Sequence, residues 1–190
     1  KDRVWKLQHD ARKLMRPDMA VARETFTFMT PSFDWDDMTG FIDGTGNPTP
    51  PERDSAVAIV PDGEPGEGGS YIIAQRWVHD LDLFHSLSLE EQEGVFGRTK
   101  RDSTKLARIA LHSHLAHVEL TEGETGSFPD AKKRDEITRR STPYAFHDGT
   151  VGLYFMAFCA RQAPFRERME AMYGINGQVR DRLTDYSNPA

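Results

Sequence analysis

A single cysteine, Cys159, is all that the 190 residues contain. That excludes an intramolecular disulfide framework and a cysteine-built zinc centre, and it fits a reducing, cytoplasmic compartment. Long hydrophobic runs are missing as well: the longest, Val151 to Ala160, is about half of what a membrane-spanning helix needs. Basic charge is in deficit, with 24 Lys and Arg against 30 Asp and Glu and a net charge of −6. No basic run carries interleaved aromatics, so neither nucleic acid nor a membrane is an expected partner. A phosphate-binding glycine loop ending in Lys-Ser/Thr and a Gly-x-Ser-x-Gly nucleophile elbow are both absent. An EF-hand loop counted from Asp34 places Thr45 where its glutamate belongs; counted from Asp43 it places Asp54 there and lacks the central glycine. The chain opens on Lys-Asp-Arg-Val-Trp-Lys, which is no signal peptide and reads as the middle of a longer protein.

What is present describes a folded chain. Apolar residues make up 37% and charged residues 28%, enough for one good core or two small subdomains. Val4, Leu7, Ala11 and Leu14 recur at helical spacing over residues 3–15, closed by Pro17. Alternation of Phe26 and Phe28 with threonines predicts a strand over 24–30, and Ala56 to Val60 reads as another. A turn-rich stretch, Pro61 to Gly69, leads to a strand over 70–78, so these last two are expected to pair or lie close. Ser88 and Glu91 form a capping box for a helix reaching about Arg98. Strands are expected near 113–120, 137–141 and 152–160, with a polar loop over 121–135. An amphipathic helix over 165–173 ends at Gly174, and a last helical turn covers 180–186. Strands and helices in this order predict an α+β fold with a split-βαβ, ferredoxin-like antiparallel sheet.

Three places could carry chemistry. Gly40-Phe41-Ile42-Asp43-Gly44-Thr45-Gly46-Asn47-Pro48 sets one carboxylate among three glycines and a proline, directly after two apolar residues. A half-buried aspartate there is a candidate acid/base; a solvated turn is the plainer reading. His112-Ser113-His114-Leu115-Ala116-His117 gathers three imidazoles. On a strand, positions 112 and 114 share one face, a pair for a metal or a single axial ligand for haem iron; ordinary polar strand positions are the alternative. Arg139 and Ser141 share the opposite face to Arg140 on the next strand, and Arg139 could hold a negative oxygen in a pocket or pair with a surface acid.

Taken together, these runs resemble the dye-decolorizing peroxidases, bacterial B class, C-terminal portion. The glycine loop, Gln75-Arg76-Trp77-Val78-His79-Asp80, Gly97-Arg98-Thr99-Lys100, Ser113-His114-Leu115, Arg139-x-Ser141-x-Pro143-Tyr144 and Gly152-Leu153-Tyr154-Phe155 follow in order over residues 20 to 185. The resemblance implies a peroxidase with haem b, reducing hydrogen peroxide and oxidising an organic electron donor such as a dye or phenolic. His114 would be the iron ligand, with Asp181 on its other nitrogen. Asp43, Arg139 and Ser141 would face peroxide, and Arg98, Gly44 and Thr45 would contact the haem. It further implies a homo-oligomer and possible cargo of a protein nanocompartment. Residues 1–30 would be the remnant of an upstream ferredoxin-like domain and 31–190 the haem-binding one.

Some positions depart from that pattern. Gly46 stands where close relatives often carry an acid, His117 where arginine is common, and a terminal aromatic, glycine-rich strand is missing after Ala190. A tight loop roofing the pocket would keep bulky dyes out, leaving Trp35, Trp77, Tyr144 and Tyr154 as candidates for electron transfer to the surface. Two other readings stay open. One is a haem-binding or haem-handling protein without peroxidase turnover. The other is a cupin-like non-haem metalloenzyme built on His112-x-His114-x4-Glu119-x6-Gly126, for which no second cupin motif is found.

Overall fold

The computed structural model describes residues 37–48, 53–119, 135–177 and 179–190, together with Lys6, His9, Asp10, Lys13, Thr25 and Thr27. Within the helix expected over 3–15, Lys6, His9, Asp10 and Lys13 are helical. The strand expected over 24–30, Trp35 and the polar loop lie outside the described residues, apart from Thr25, Thr27 and Asp135.

In chain order the elements are α1 (Arg53–Ala58), β1 (Tyr71–His79), α2 (Leu81–His85), α3 (Leu89–Phe96), α4 (His114–Val118), β2 (Thr138–Arg139), β3 (Thr142–Ala145), β4 (Val151–Cys159), α5 (Ala163–Met172) and β5 (Ser187–Pro189). Two short 3-10 turns, Ile175–Gly177 and Arg182–Asp185, lie between α5 and β5. The sheet runs β2-β4-β1-β5 with β3 also on β4, and every pair is antiparallel. Counting β2 and β3 as one interrupted strand, the chain order is βαββαβ. β4 lies between β1 and that strand, and β1 separates β4 from β5. This is the split-βαβ, ferredoxin-like α+β arrangement expected from the sequence.

Long aromatic and β-branched runs explain the two central strands, which pair from Tyr71↔Cys159 to Val78↔Gly152. α3 starts on the expected capping box: Glu91 N–H donates to Ser88 Oγ while the Glu91 carboxylate accepts from Ser88 N–H. It stops at Gly97, whose φ of 84° is open to glycine at little cost. α5 begins with Pro164 in its first turn, where a missing N–H costs nothing.

Two expected strands are helices. Ala56–Val60 falls largely in α1; a five-residue apolar run cannot distinguish the two states, and its two alanines favour helix. Its expected pairing with β1 is accordingly absent, although Val60 still exchanges backbone hydrogen bonds with Gly68 and Gly69 across the turn. The stretch over 113–120 is α4, five residues long, with Ser113 extended at its N-cap. Side chains there advance by about 100° per residue rather than alternating, so the shared face drawn for His112 and His114 does not form. The β3, β5 and α2 elements had no sequence counterpart; each is held by its neighbours rather than by its own pattern.

The face of the sheet bearing Gln75, Trp77, Leu153 and Phe155 looks towards α4 and α5, and the space between them is a cavity. One core cluster joins Ile137, Ala157, Cys159 and Phe165 under that face. Another joins Phe41, Phe84, Val95 and Tyr186, with Phe96 and Leu183 against it. Phe41 of the glycine loop is 4% exposed and stacks on Phe96 of α3 at 4.0 Å between ring centroids. Burying such a ring stabilises by roughly 2–3 kcal/mol. The loop is thereby anchored to the core as the sequence predicts.

Candidate functional site

A cavity of about 170 Å³ receives Asp43, Thr45, Arg98, His114, Arg139 and Ser141 in its lining. Of the eight residues singled out from the sequence, these six meet there. Gly44 lies beside Asp43 in the loop, and Asp181 stands behind His114.

His114 opens α4, so its ring projects from the helix wall. Its Nδ1–H donates to Asp181 Oδ2 at 2.7 Å. Asp181 is fully buried, and its Oδ1 accepts the Leu183 N–H at 2.9 Å. With Nδ1 as donor, the lone pair belongs to Nε2, which has no hydrogen-bond partner among the described residues. That is the tautomer a metal-ligating imidazole needs, with a carboxylate to fix its orientation. Phe96 meets the ring edge-on, centroids 6.2 Å apart. The other two histidines are used differently. His112 gives its carbonyl to the Arg182 N–H at 2.8 Å, and both ring nitrogens of His117 face backbone carbonyls.

The opposite wall combines the glycine loop with β2. Gly44 adopts φ of +84°, a left-handed conformation that turns its N–H back onto Asp43 Oδ1 at 2.6 Å. Arg139 Nη1 lies 3.8 Å from the same oxygen, a loose pair in which both side chains stay partly exposed. Asn47 fixes their relative position: its Oδ1 accepts the Arg139 N–H at 2.8 Å and its Nδ2 donates to the Arg139 carbonyl at 3.2 Å. The loop is therefore clamped to the strand that carries the guanidinium.

Arg98 closes the rim. Nη1 donates to the Ser103 carbonyl at 2.7 Å and Nη2 to Glu119 Oε1 at 2.5 Å, with Lys105 Nζ 3.4 Å from Oε2. Burial alone would raise the Glu119 carboxyl, but Arg98 and Lys105 outweigh it and hold it below the usual range. A Cβ on Gly46 would fall 2.7 Å from Glu119 Oε1 and 3.1 Å from Arg139 Nη2, so a side chain at 46 would displace this ion cluster. Thr45 Oγ1 reaches Ser103 Oγ at 3.0 Å. Ser103 is itself held at φ of 56°, a left-handed conformation uncommon for a residue with a side chain.

Sequence reasoning gave no role to Ser103 or to the Asn47 clamp, which act across long sequence separations that no local pattern displays. Glu119, read only as a carboxylate of the cupin-like motif, instead pairs with Arg98 and Lys105. Asp37 also lines the cavity; burial, opposed by its Thr39 hydrogen bonds and assisted by nearby Asp43, pushes its carboxyl up to about 6. His79 faces the cavity from β1, and burial lowers its ring to about 4. Its Nδ1 meets Ser187 Oγ at 2.8 Å, whereas its Nε2 and the Oε1 of Gln75 are buried without partners among the described residues.

These orphaned atoms, the apolar walls of Ile137, Leu153, Phe155, Met169 and Met172, and the free His114 nitrogen suit a largely apolar group with a polar periphery and one metal valence to fill. Among the described residues no group of three or more His, Cys, Asp or Glu could hold a metal ion. Of the oxidisable side chains, Trp77 is buried beside the cavity, and Tyr144 is wholly buried, donating to the Trp77 carbonyl at 3.0 Å.

The Dyp-type peroxidase, C-terminal family model matches residues 34–190. A dye-decolorizing peroxidase of Mycobacterium tuberculosis is 33% identical over 159 residues, and one of Rhodococcus erythropolis is 33% identical over 165; each alignment covers 82% of this chain and 45% of the relative. The chain thus spans about half the length of these relatives. Among solved structures, a dye-decolorizing protein from V. cholerae superposes with a TM-score of 0.84 at 35% identity, covering 100% of this chain and 60% of the other. A DypB variant from Rhodococcus jostii RHA1 in complex with heme gives 0.86 at 28% identity, with the same coverage.

Proposed function

Because this chain belongs to the Dyp-type peroxidase family, we propose that it is the haem-binding part of a haem b peroxidase that reduces hydrogen peroxide and oxidises an organic donor. The observation that carries this reading is the pairing of two walls. A carboxylate-backed imidazole with a free nitrogen faces the cavity from α4, while a carboxylate and a guanidinium face it from the glycine loop and β2.

Haem, when bound, would supply the redox chemistry: two electrons for peroxide, restored by one-electron oxidation of donors. His114 would hold the iron through Nε2. Asp181, keeping the proton of Nδ1, would make the ligand more electron-rich. Asp43 has Oδ1 committed to the Gly44 N–H, leaving Oδ2 to take a proton from one peroxide oxygen and give it to the other. Arg139 would stabilise the negative charge that develops as the O–O bond breaks. Ser141, beside them in the lining, can orient a hydroxyl or a water.

Arg98 fits this reading in a modified role. Its two terminal nitrogens already serve Ser103 and Glu119, so a haem carboxylate there would share or replace Glu119. Surface transfer to bulky donors through Trp35, Trp77, Tyr144 or Tyr154, a cytoplasmic location, a homo-oligomer, cargo status and the division at residues 30 and 31 rest on the sequence and its resemblance alone. No helix among the described residues is long and apolar enough to cross a membrane.

The test is an absorption spectrum of protein purified with haem supplied, followed by peroxide titration of the same sample. A Soret band lost in His114→Ala, with peroxide consumed in the parent protein, is the expected result. Haem bound with no peroxide consumption would instead establish the haem-handling reading, and full haem retention by His114→Ala would assign the iron to another ligand.

A further inference from the structure

Asp181 reaches His114 from a strap, residues 179–182, that crosses the start of α4. Burial of the strap's own first side chain does not hold it there, since Val179 is 50% exposed. What holds it is a set of hydrogen bonds. The Asp181 N–H donates to the Met172 carbonyl at 2.9 Å and the Arg182 N–H to the His112 carbonyl at 2.8 Å. Upstream of both, His117 Nε2 lies 2.7 Å from the Val179 carbonyl.

His117 is a buried residue, 5% exposed, one helical turn beyond His114 on α4. Its Nδ1 lies 2.8 Å from the Ser113 carbonyl, the residue that starts the helix. Carbonyl oxygens only accept and a neutral imidazole carries a single N–H, so bridging both carbonyls at once takes the cationic ring, with an N–H on each nitrogen. One imidazole thus ties the first residue of the ligand-bearing helix to the first residue of the strap.

We propose that His117 is a positioning residue: by bridging the Ser113 and Val179 carbonyls it sets the strap that delivers the Asp181 carboxylate to Nδ1 of His114. The clamp is read from the fold; its bearing on peroxide chemistry rests on the function proposed above. A hydrophobic residue of similar size would fill the space and donate nothing: the Ser113 carbonyl would keep the Ala116 N–H at 3.1 Å, while the Val179 carbonyl would lose its tie to α4. Arginine can donate to two carbonyls at once and should keep the clamp.

The experiment compares the parent chain, His117→Leu and His117→Arg, each as the full 190-residue chain, prepared with haem and again without it. Amide hydrogen exchange is read at Asp181 and Arg182, with the β1 and β4 amides as internal controls. In the haem-free samples the low-field Nδ1 proton of His114 is followed by NMR. In His117→Leu the two strap amides should exchange at least about tenfold faster, the loss of one ordinary hydrogen bond, and the His114 resonance should broaden or vanish. Protection in β1 and β4 should hold, and His117→Arg should restore both signals. Unchanged strap exchange and an unchanged His114 resonance in the Leu variant overturn the proposal, as does exchange rising equally throughout the sheet. If the Leu variant does not fold, the Arg variant decides: strap protection and the resonance retained support the clamp, and their loss overturns it. The haem-free measurements stand whether or not the chain proves to be a peroxidase.

Discussion

A carboxylate that is to carry a proton must be oriented without being tied up by its partner. Asp43 meets that condition: one oxygen takes the Gly44 N–H at 2.6 Å, and Arg139 stands off at 3.8 Å instead of forming a tight bidentate pair. Asp43→Asn keeps the shape but removes the base, and should slow peroxide consumption by roughly 10²–10⁴-fold in the haem-loaded protein. Arg139→Leu removes a charge stabiliser and should cost about 10²-fold or more. Stopped-flow mixing with peroxide at matched haem content checks both; two unchanged rates would reject this wall as the peroxide side. Asp43 was legible because glycines and apolar neighbours surround it in one short run. His114 was not separable from His112 and His117 by spacing, and the resemblance alone selected it. Its distinguishing partner, Asp181, lies 67 positions away, a pairing no local pattern contains.

At the scale of elements, the site depends on junctions more than on regular structure. Gly97 ends α3 at φ of 84°, and a Cβ there would fall 2.9 Å from the Leu115 Cβ and 3.1 Å from the Ser113 Oγ of the α4 start. Gly97→Ala therefore meets strain and contact together and should destabilise by about 1–3 kcal/mol. Ser88→Ala, at the exposed other end of the same helix, loses only the cap and should cost about 1 kcal/mol. Urea midpoints order the two, and the Gly97 variant should also bind haem less tightly because it shifts the helix bearing His114. Equal midpoints would mean that the α3–α4 contact yields freely. The strands β1 and β4 and the helices α3 and α5 were legible because each carries a long pattern with a recognisable start or stop. α4 was not: five residues make little more than one turn, and the alternate placing of His112 and His114 imitates a strand. What makes it helical is its seat against Gly97 and the strap, which is tertiary.

Two half-buried groups in the cavity wall contribute to the pH response of the molecule in opposite directions. His79 is lowered from 6.5 to about 4, so the stability it contributes is present above pH 6.5 and is lost as pH falls through about 4. Asp37 is raised from 3.8 to about 6; its contribution is present below pH 3.8 and is lost as pH rises through about 6. Each shift corresponds to at most about 3 kcal/mol, and their windows overlap from about pH 6 to pH 4. The parent chain should therefore change little in stability across that window. Below it, protonation of Glu119, held low by Arg98 and Lys105 against the opposing effect of burial, removes further stability. Asp37→Asn takes away the acid-favoured half of the balance. It should be more stable than the parent at pH 7 by about 1–3 kcal/mol and then lose stability steadily from pH 6.5 to 4. Urea unfolding at closely spaced pH values measures both curves. A parent curve that falls in parallel with that of Asp37→Asn would show that the Asp37 carboxyl is not held up by burial. The cavity would then be wetter at the glycine loop than its lining suggests, and the proton that Asp43 handles would exchange directly with solvent.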